Sequence, residues 1–224
     1  MAAVERTMEI PAGRVRLPAD VVIPARARGL VLFAHGSGSS RHSPRNRQVA
    51  TELQDAGLAT VLADLLTPEE DRIDARTAEL RFDIDLLATR VGALADWLAD
   101  HDPTRGLALG LFGASTGAAA ALVAAAARPE SIGAVVSRGG RPDLAGDALA
   151  AVRQPTLLVV GGRDDLVHEL NRRALAALPG DAHLEVVPGA THLFAEPGAL
   201  EEVARLAADW FLGHLPPEPP VGLT

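Results

Sequence analysis

A serine near the middle of the chain has the neighbours that a catalytic nucleophile needs. Ser115 is the central residue of the segment GASTG, which spans residues 113–117 and directly follows the apolar run LALGLF. Two glycines flanking a serine in this way, between a strand and a helix, are typical of a nucleophile elbow, a turn too tight for larger neighbours. The same residues also fit a glycine-rich turn that only packs a helix against a sheet. Suitable partners elsewhere in the chain would favour Ser115 as a nucleophile for acyl transfer.

A serine hydroxyl needs a base within hydrogen-bond reach, and His192 is the best placed of the seven histidines. It ends the segment PGATH at residues 188–192, just after the apolar run LEVV. If the apolar runs are parallel strands, Ser115 and His192 follow strand ends at the same edge of one sheet. A capping role within its own loop is the alternative for His192. The spacing predicts that it is the general base.

Two aspartates can supply the carboxylate that orients this histidine. Asp164 and Asp165 lie in the segment GGRDDLV at residues 161–167, directly after the apolar run TLLVV. Asp is a favoured N-cap, and Asp165 is the better placed of the two to cap the helix that follows. Asp164 is then predicted to hold His192 in the correct tautomer, with Asp165 as the alternative acid.

The tetrahedral intermediate of acyl transfer also needs hydrogen-bond donors for its oxyanion. The backbone N–H of Thr116, the residue after the nucleophile, is the first expected donor. The second is expected from the segment HGSGSS at residues 35–40, which follows the apolar run LVLFA. We predict that it is the backbone N–H of Ser37. A simple turn is the alternative for this segment.

Six short apolar runs have the length and composition of buried parallel strands. They are Leu30–Ala34, Ala59–Ala63, Leu107–Phe112, Ala134–Ser137, Thr156–Val160 and Leu184–Val187. Helical patterns separate them. The clearest is an apolar stripe at Leu80, Ile84, Leu87, Val91, Leu94 and Leu98. This alternation predicts an α/β fold, a doubly wound and mostly parallel sheet with helices on both faces.

The remaining segments complete this organisation. Residues 4–23 alternate weakly and are expected to form one or two antiparallel edge strands. Too few residues lie between Ser137 and Thr156 for a separate lid domain, so partial cover is expected from an acidic loop at residues 65–77. We expect a single domain over residues 1–215, followed by a proline-rich tail at 216–224.

These motifs resemble those of the dienelactone hydrolase family of small α/β-hydrolases. The likeness covers residues 28–212 and rests on HGSGSS, GASTG, GGRDDLV and PGATH. It implies the α/β-hydrolase fold and hydrolysis of lactones or carboxylic esters without a cofactor, with Ser115, Asp164 and His192 as the triad. The order Ser–Asp–His along the chain is the order of this fold. True dienelactone hydrolases use a cysteine nucleophile, and the serine here favours a general carboxylesterase.

Three arginines are candidates for binding an anionic substrate. Arg138 directly follows the run AVVS, Arg41 follows the segment HGSGSS, and Arg81 lies at the start of the long helical stripe. A guanidinium at the rim of a pocket can bind a carboxylate through two parallel hydrogen bonds. All 21 basic residues of the chain are arginines, so an ordinary surface position is the alternative for each of the three.

Composition excludes several other classes of chemistry. The chain has no cysteine and no lysine, which excludes disulfides, thiolate metal sites, Schiff bases and a phosphate-loop lysine. No histidine cluster has metal-ligand spacing, so no metal is expected. A net charge of −8 argues against nucleic acid as a partner. The sequence shows neither a membrane span nor a signal peptide, and a cytoplasmic location is expected.

Two other functions fit parts of the sequence. Gly110, Gly113 and Gly117 precede a helix and could cradle a nucleotide phosphate, but the pattern G-x-G-x-x-G is absent. A non-catalytic scaffold that only binds a ligand is the second, and an intact triad argues against it. The sequence therefore predicts a serine hydrolase for a small ester or lactone, with a dienelactone-type lactonase as a further alternative. A homodimer is left open.

Overall fold

The computed structural model describes residues 3–215, which fold around one eight-stranded β-sheet. The strands are β1 (Val4–Ala12), β2 (Val15–Ile23), β3 (Leu30–Ala34), β4 (Ala59–Ala63), β5 (Leu109–Ala114), β6 (Ile132–Arg138), β7 (Thr156–Gly161) and β8 (Ala182–Val187). The helices are α1 (Pro44–Asp55), α2 (Pro68–Thr77), α3 (Ile84–Asp100), α4 (Thr116–Ala126), α5 (Asp165–Ala177) and α6 (Ala199–His214). Short 3₁₀ stretches are Leu80–Phe82 and Pro142–Ala151.

The strands lie in the order β1-β2-β4-β3-β5-β6-β7-β8. Every neighbouring pair from β4 to β8 is parallel, whereas β1 and β2 form an antiparallel hairpin that pairs with β4 at one edge. The chain runs from β3 to β4 on one side and then returns to β5 on the other, so the strand order reverses at β3. Such a reversal opens a crevice at the carboxyl ends of β3 and β5. The predicted doubly wound sheet is confirmed.

Helices cover both faces of the sheet. On one face α3 and α4 supply an apolar layer that includes Leu94 and Leu122. On the other face α1 and α6 supply a second layer that includes Leu53 and Phe211. Every residue of β3 and of β4 is buried, because neither face of these central strands meets solvent. This double cover explains why the strands appear in the sequence as continuous apolar runs.

The long helix begins later than the sequence pattern suggests. The side chain of Asp83 accepts a hydrogen bond from the N–H of Leu86 at 2.9 Å and so caps α3, which starts at Ile84. Leu80, the first residue of the predicted stripe, lies in the preceding 3₁₀ stretch. The buried part of the stripe begins at Leu87.

The acidic segment predicted as a covering loop is instead the helix α2. The hydroxyl of Thr67 accepts from the N–H of Glu70 at 3.2 Å, and the Glu70 carboxylate accepts from the N–H of Thr67 at 2.8 Å. Pro68 occupies the first helical position, where its fixed φ favours a helix start. This capping box outweighs the low apolar content of the segment, so the prediction of a loop at residues 65–77 is wrong.

Between β6 and β7 the chain forms the 3₁₀ stretch Pro142–Ala151, and the described residues contain no separate lid domain. None of the helices within residues 3–215 is both long enough and apolar enough to cross a membrane. The predicted proline-rich tail at 216–224 lies outside the described residues.

Candidate active site

Ser115 lies in the turn between β5 and α4. Its backbone has φ 52° and ψ −121°, which is strained for a residue that carries a side chain. The turn is possible only among small neighbours: a Cβ added at Gly117 would lie 2.2 Å from the carbonyl oxygen of Ala34. The N–H of Ser115 donates to the carbonyl oxygen of Arg138 at 3.2 Å, which ties the turn to the adjacent strand end. The structure thus has the elbow conformation predicted for this segment.

His192 and Asp164 are joined by a hydrogen bond. Nδ1 of His192 lies 2.7 Å from Oδ2 of Asp164. An ionised carboxylate only accepts, so Nδ1 carries the proton and Nε2 is left free to accept one. The side chain of His192 is 39% exposed and that of Asp164 is 16% exposed, so the carboxylate is shielded while the imidazole reaches the cavity described below. The pair can take up a proton at Nε2 and stabilise the resulting imidazolium.

Backbone contacts bring the loops after β7 and β8 together. The N–H of Arg163 donates to the carbonyl oxygen of Ala190 at 2.9 Å, and the N–H of Gly162 donates to that of Val187 at 2.9 Å. A Cβ at Gly161 would lie 2.5 Å from the same Ala190 oxygen, so the close approach of the loops requires glycine there. This approach sets the carboxylate of one loop beside the imidazole of the other.

The N-cap of α5 lies one residue earlier than predicted. Asp165 is its first residue, and Asp164 occupies the cap position. The side chain of Asp164 makes no capping hydrogen bond and turns to His192 instead. The interpretation of Asp165 as the N-cap is therefore wrong, and Asp164 is the aspartate that contacts the histidine.

Ser115 and His192 line the same cavity, of about 250 Å³, in the crevice where the strand order reverses. Its other lining residues are Gly36, Ser37, Ser39, Ser43, Arg45, Asn46, Ala114, Arg138 and Leu193. Within the described part of the chain, no aspartate or glutamate lines this cavity. A larger depression of about 520 Å³ lies between the β1–β2 hairpin and α1, but neither Ser115 nor His192 lines it.

The two predicted oxyanion donors differ in their present partners. Thr116 is the first residue of α4, and its N–H is among those without a partner inside the helix. The N–H of Ser37, by contrast, donates to the hydroxyl oxygen of Thr116 at 2.9 Å. This bond fastens the loop after β3 to the turn that carries Ser115. The N–H of Ser37 is therefore engaged in this state, which sequence spacing could not reveal.

His35 fixes the loop that carries Ser37. Its Nδ1–H donates to the carbonyl oxygen of Gly36 at 3.0 Å, and its Nε2 accepts from the N–H of Leu65 at 3.0 Å. Burial lowers the pKa of His35 below its ordinary value. The ring is therefore neutral and joins the ends of β3 and β4. It lines a neighbouring cavity of about 290 Å³, on the other side of the loop.

Arg138 lies at the end of β6 and is only 9% exposed. Its guanidinium carbon lies 5.9 Å from the centre of the Phe112 ring. Its Nη1 is buried without a hydrogen-bond partner. Burial, together with the positive charge of Arg45, lowers the pKa of Arg138 to about 10. The guanidinium remains charged at neutral pH and lines the cavity of Ser115.

Arg41 and Arg81 lie elsewhere. Both line the neighbouring cavity, and their guanidinium groups are held by carboxylates of the protein itself. Arg41 pairs with Asp64, to which its backbone N–H also donates at 2.7 Å. Nε of Arg81 lies 2.5 Å from Oδ2 of Asp74. Desolvation opposes the ionisation of Asp74, but the hydrogen bonds from Arg81 outweigh it and keep the pKa of that carboxyl below its ordinary value. The structure thus gives both arginines an internal carboxylate partner and places neither on the cavity of Ser115, and their role towards substrate stays a prediction.

Sequence reasoning missed two lining residues at the start of α1. Asn46 is 2% exposed, and its Oδ1 has no hydrogen-bond partner. Nε of Arg45 is also buried without a partner. The available signal was Ser43-Pro44, a helix start that comes soon after the predicted oxyanion segment.

Comparison with known proteins gives one family. The family described as the alpha/beta hydrolase domain matches residues 27–205 of the chain. The crystal structure of a dienelactone hydrolase from Anabaena variabilis is 57% identical in sequence, with a TM-score of 0.94 and coverage of 96% of this chain and 100% of that one. An esterase from Pyrococcus furiosus is 17% identical, with a TM-score of 0.73 over 95% of this chain and 92% of that one, a likeness of fold alone. The predicted resemblance is confirmed.

Curated relatives from two strains of Mycobacterium tuberculosis are 57% identical over 211 residues, which is 94% of this chain. Both are provisionally named phosphoribosyl transferases. The match covers 47% of each relative, so the chain spans about half the length of these proteins.

Proposed function

The chain belongs to the α/β-hydrolase family, and from that premise we propose that it hydrolyses carboxylic esters or lactones through an acyl-enzyme on Ser115. The observation that carries this proposal is the hydrogen bond between His192 and Asp164, with His192 opening onto the cavity that Ser115 also lines. A nucleophile in a strained turn, a base and an orienting carboxylate are the three parts that serine acyl transfer needs.

In the proposed reaction, Nε2 of His192 takes the proton of Ser115 as its Oγ attacks the carbonyl carbon. The tetrahedral intermediate collapses when the alkoxide leaves with that proton, and Ser115 is left acylated. Water, deprotonated by His192, then attacks the acyl-enzyme, and Oγ of Ser115 leaves with the proton from His192 as the acid is released. Asp164 keeps its negative charge throughout and stabilises the imidazolium that forms in both steps.

The oxyanion of the intermediate is bound by the N–H groups of Thr116 and Ser37 in this proposal. The N–H of Thr116 lies at the start of α4 and has no partner within the helix. The positive end of the helix dipole lies at the same place and favours negative charge on the reacting oxygen. The N–H of Ser37 must exchange its hydroxyl partner on Thr116 for the oxyanion. A hydrogen bond to a charged acceptor is stronger than one to a hydroxyl. The exchange is therefore favoured as negative charge develops on the substrate's carbonyl oxygen.

A lactone is the second candidate substrate, because the 57% identical protein from Anabaena variabilis is called a dienelactone hydrolase. In a lactone the leaving alkoxide stays attached to the acyl group, so the same residues would serve without change. We do not propose a transferase activity for this chain from the name of the Mycobacterium tuberculosis relatives. We assign the activity in that name to the half of those proteins that this chain does not match.

The test is hydrolysis of p-nitrophenyl esters of increasing acyl length and of a simple lactone, by the wild type and by Ser115→Ala. We expect Ser115→Ala to lower kcat by about 10⁶-fold, as removal of the nucleophile does in other triad enzymes. Ser131→Ala, which changes an exposed serine remote from the cavity, is the matched control. Labelling by a fluorophosphonate probe should depend on Ser115 alone. Absence of both labelling and hydrolysis in the wild type would favour a scaffold that only binds its ligand.

A further inference from the structure

The cavity beside Ser115 is lined by two arginines and, in the part of the chain that the structure describes, by no counterion. Arg138 is buried, and its Nη1 has no hydrogen-bond partner. Arg45, from α1, lines the same cavity with a buried Nε that also has no partner. No carboxylate lines this cavity within the described residues. Arg41 and Arg81 do not line this cavity, and both are held by internal carboxylates.

Such an arrangement is unfavourable unless an anion completes it. A buried cation without a partner is destabilising, and a second cation beside it adds repulsion. The contact of Arg138 with the Phe112 ring offsets only part of this desolvation. Both arginines line the cavity, so a ligand bound there can contact their side chains.

The start of α1 adds further donors. Ser43 caps the helix by accepting from the N–H of Asn46 at 3.3 Å, and Pro44 has no N–H to offer. The N–H of Arg45, in the first turn, has no partner within the helix, and the positive end of the helix dipole lies at the same place. The Asn46 side chain is buried with a partnerless Oδ1. The NH₂ group of the same side chain is a hydrogen-bond donor at the edge of the cavity.

We propose that Arg138, Arg45 and Asn46 form an anion-binding subsite beside Ser115, and that the substrate carries a carboxylate or phosphate group that this subsite binds. Guanidinium groups bind both oxyanions through paired hydrogen bonds. The cavity of about 250 Å³ restricts the substrate to a small molecule. The inference that the molecule carrying the anion is a substrate rests on the proposed function. Binding of the anion at the subsite does not depend on that function.

Binding is measured by calorimetry on Ser115→Ala, titrated with succinate and, separately, with inorganic phosphate in a buffer free of both. We expect one-to-one binding of at least one anion, and the stronger of the two identifies carboxylate or phosphate as the preferred group. Adding Arg138→Gln should weaken that binding at least about tenfold, because a charge-assisted pair is lost. Adding Arg172→Gln, at an exposed arginine on α5, should leave it unchanged.

Two results would overturn the subsite: neither anion binds, or Arg138→Gln binds as tightly as its parent. Arg45→Gln keeps the test decisive if Arg138→Gln does not fold, because Arg45 lies on the half-exposed first turn of α1. The bound anion should also raise the Tm of Ser115→Ala in proportion to its binding, and this rise should shrink in both arginine variants. A merely structural role for the arginines would not make the ligand-induced rise depend on them.

Activity on a matched pair of esters separates this inference from the proposed function. Mono-p-nitrophenyl succinate and p-nitrophenyl butyrate have acyl groups of equal length, and only the first carries a carboxylate. We expect the ratio of their kcat/KM values to fall at least about tenfold in Arg138→Gln. Anion binding without hydrolysis of either ester would refute the ester function alone. Hydrolysis of both esters without anion binding would refute the subsite alone.

Discussion

The carboxylate of Asp164 lies 2.7 Å from Nδ1 of His192, while the next residue, Asp165, is exposed on the first turn of α5. A single step along the chain therefore separates a carboxylate that faces the imidazole from one that faces solvent. The two aspartates differ in position but hardly in chemistry. They form a matched pair with which the role of the contact can be measured.

Asp164→Asn should lower kcat for a p-nitrophenyl ester by about 10⁴-fold, as the equivalent change does in another Ser–His–Asp enzyme. An amide at this position can donate to Nδ1, which would place the imidazole proton on Nε2 and leave no base for Ser115. Asp165→Asn should change kcat far less. Equal losses in the two variants would remove Asp164 from the proposed triad.

The backbone N–H of Ser37 can be tested by removing it. Ser37→Pro abolishes this donor, and we expect kcat to fall by about 10²–10³-fold, the usual effect of losing one oxyanion donor. Ser37→Ala keeps the N–H and deletes an exposed side chain, so its effect should be much smaller. Circular dichroism of both variants checks that the loop change does not unfold the protein. Similar kcat values for the two would mean that another group is the second donor.

Acid should destabilise the protein through His35. The folded state lowers the pKa of this histidine, whereas the unfolded chain has the ordinary value of 6.5. As the pH falls below 6.5, the unfolded state binds a proton that the folded state does not, so the free energy of unfolding decreases. The Tm of the wild type should therefore fall between pH 8 and pH 5 (about the range of histidine titration).

The contribution of His35 can be isolated by comparing slopes. His35→Gln should show a weaker dependence of Tm on pH over the same range, because the titrating group is gone. Ser131→Ala, which replaces an exposed residue without a titratable group, should keep the wild-type slope. An unaltered slope in His35→Gln would show that other groups cause the acid lability.

The helix α2 depends on its N-cap. Thr67→Ala removes the hydroxyl that accepts from the N–H of Glu70, and we expect a loss of about 1 kcal/mol in the free energy of unfolding. Thr51→Ala is the control, since Thr51 is an exposed residue inside α1 and alanine favours a helix interior. Urea denaturation of the two variants measures the difference. A loss as large in Thr51→Ala would contradict a specific capping effect.

Local sequence patterns predicted much of the fold and the turn that carries Ser115. Continuous apolar runs located the central strands, because a parallel strand covered on both faces has no polar alternation. The glycines around Ser115 indicated the turn, because backbone atoms approach each other so closely there that no side chain fits. Where local signals competed, prediction failed: the capping box of Thr67 and Glu70 formed a helix in a segment whose polarity suggested a loop.

The sequence by itself determined the doubly wound sheet and the edge of the sheet at which Ser115 and His192 both lie, because periodicity and turn chemistry are properties of neighbouring residues. Only the tertiary structure decided which arginines face the cavity without a counterion. Arg41 reaches Asp64, which is 23 residues away, whereas the cavity around Arg138 holds a second cation and, among residues 3–215, no carboxylate. Ion pairing and its absence depend on distances in space between segments remote in the chain, and no local pattern encodes those distances.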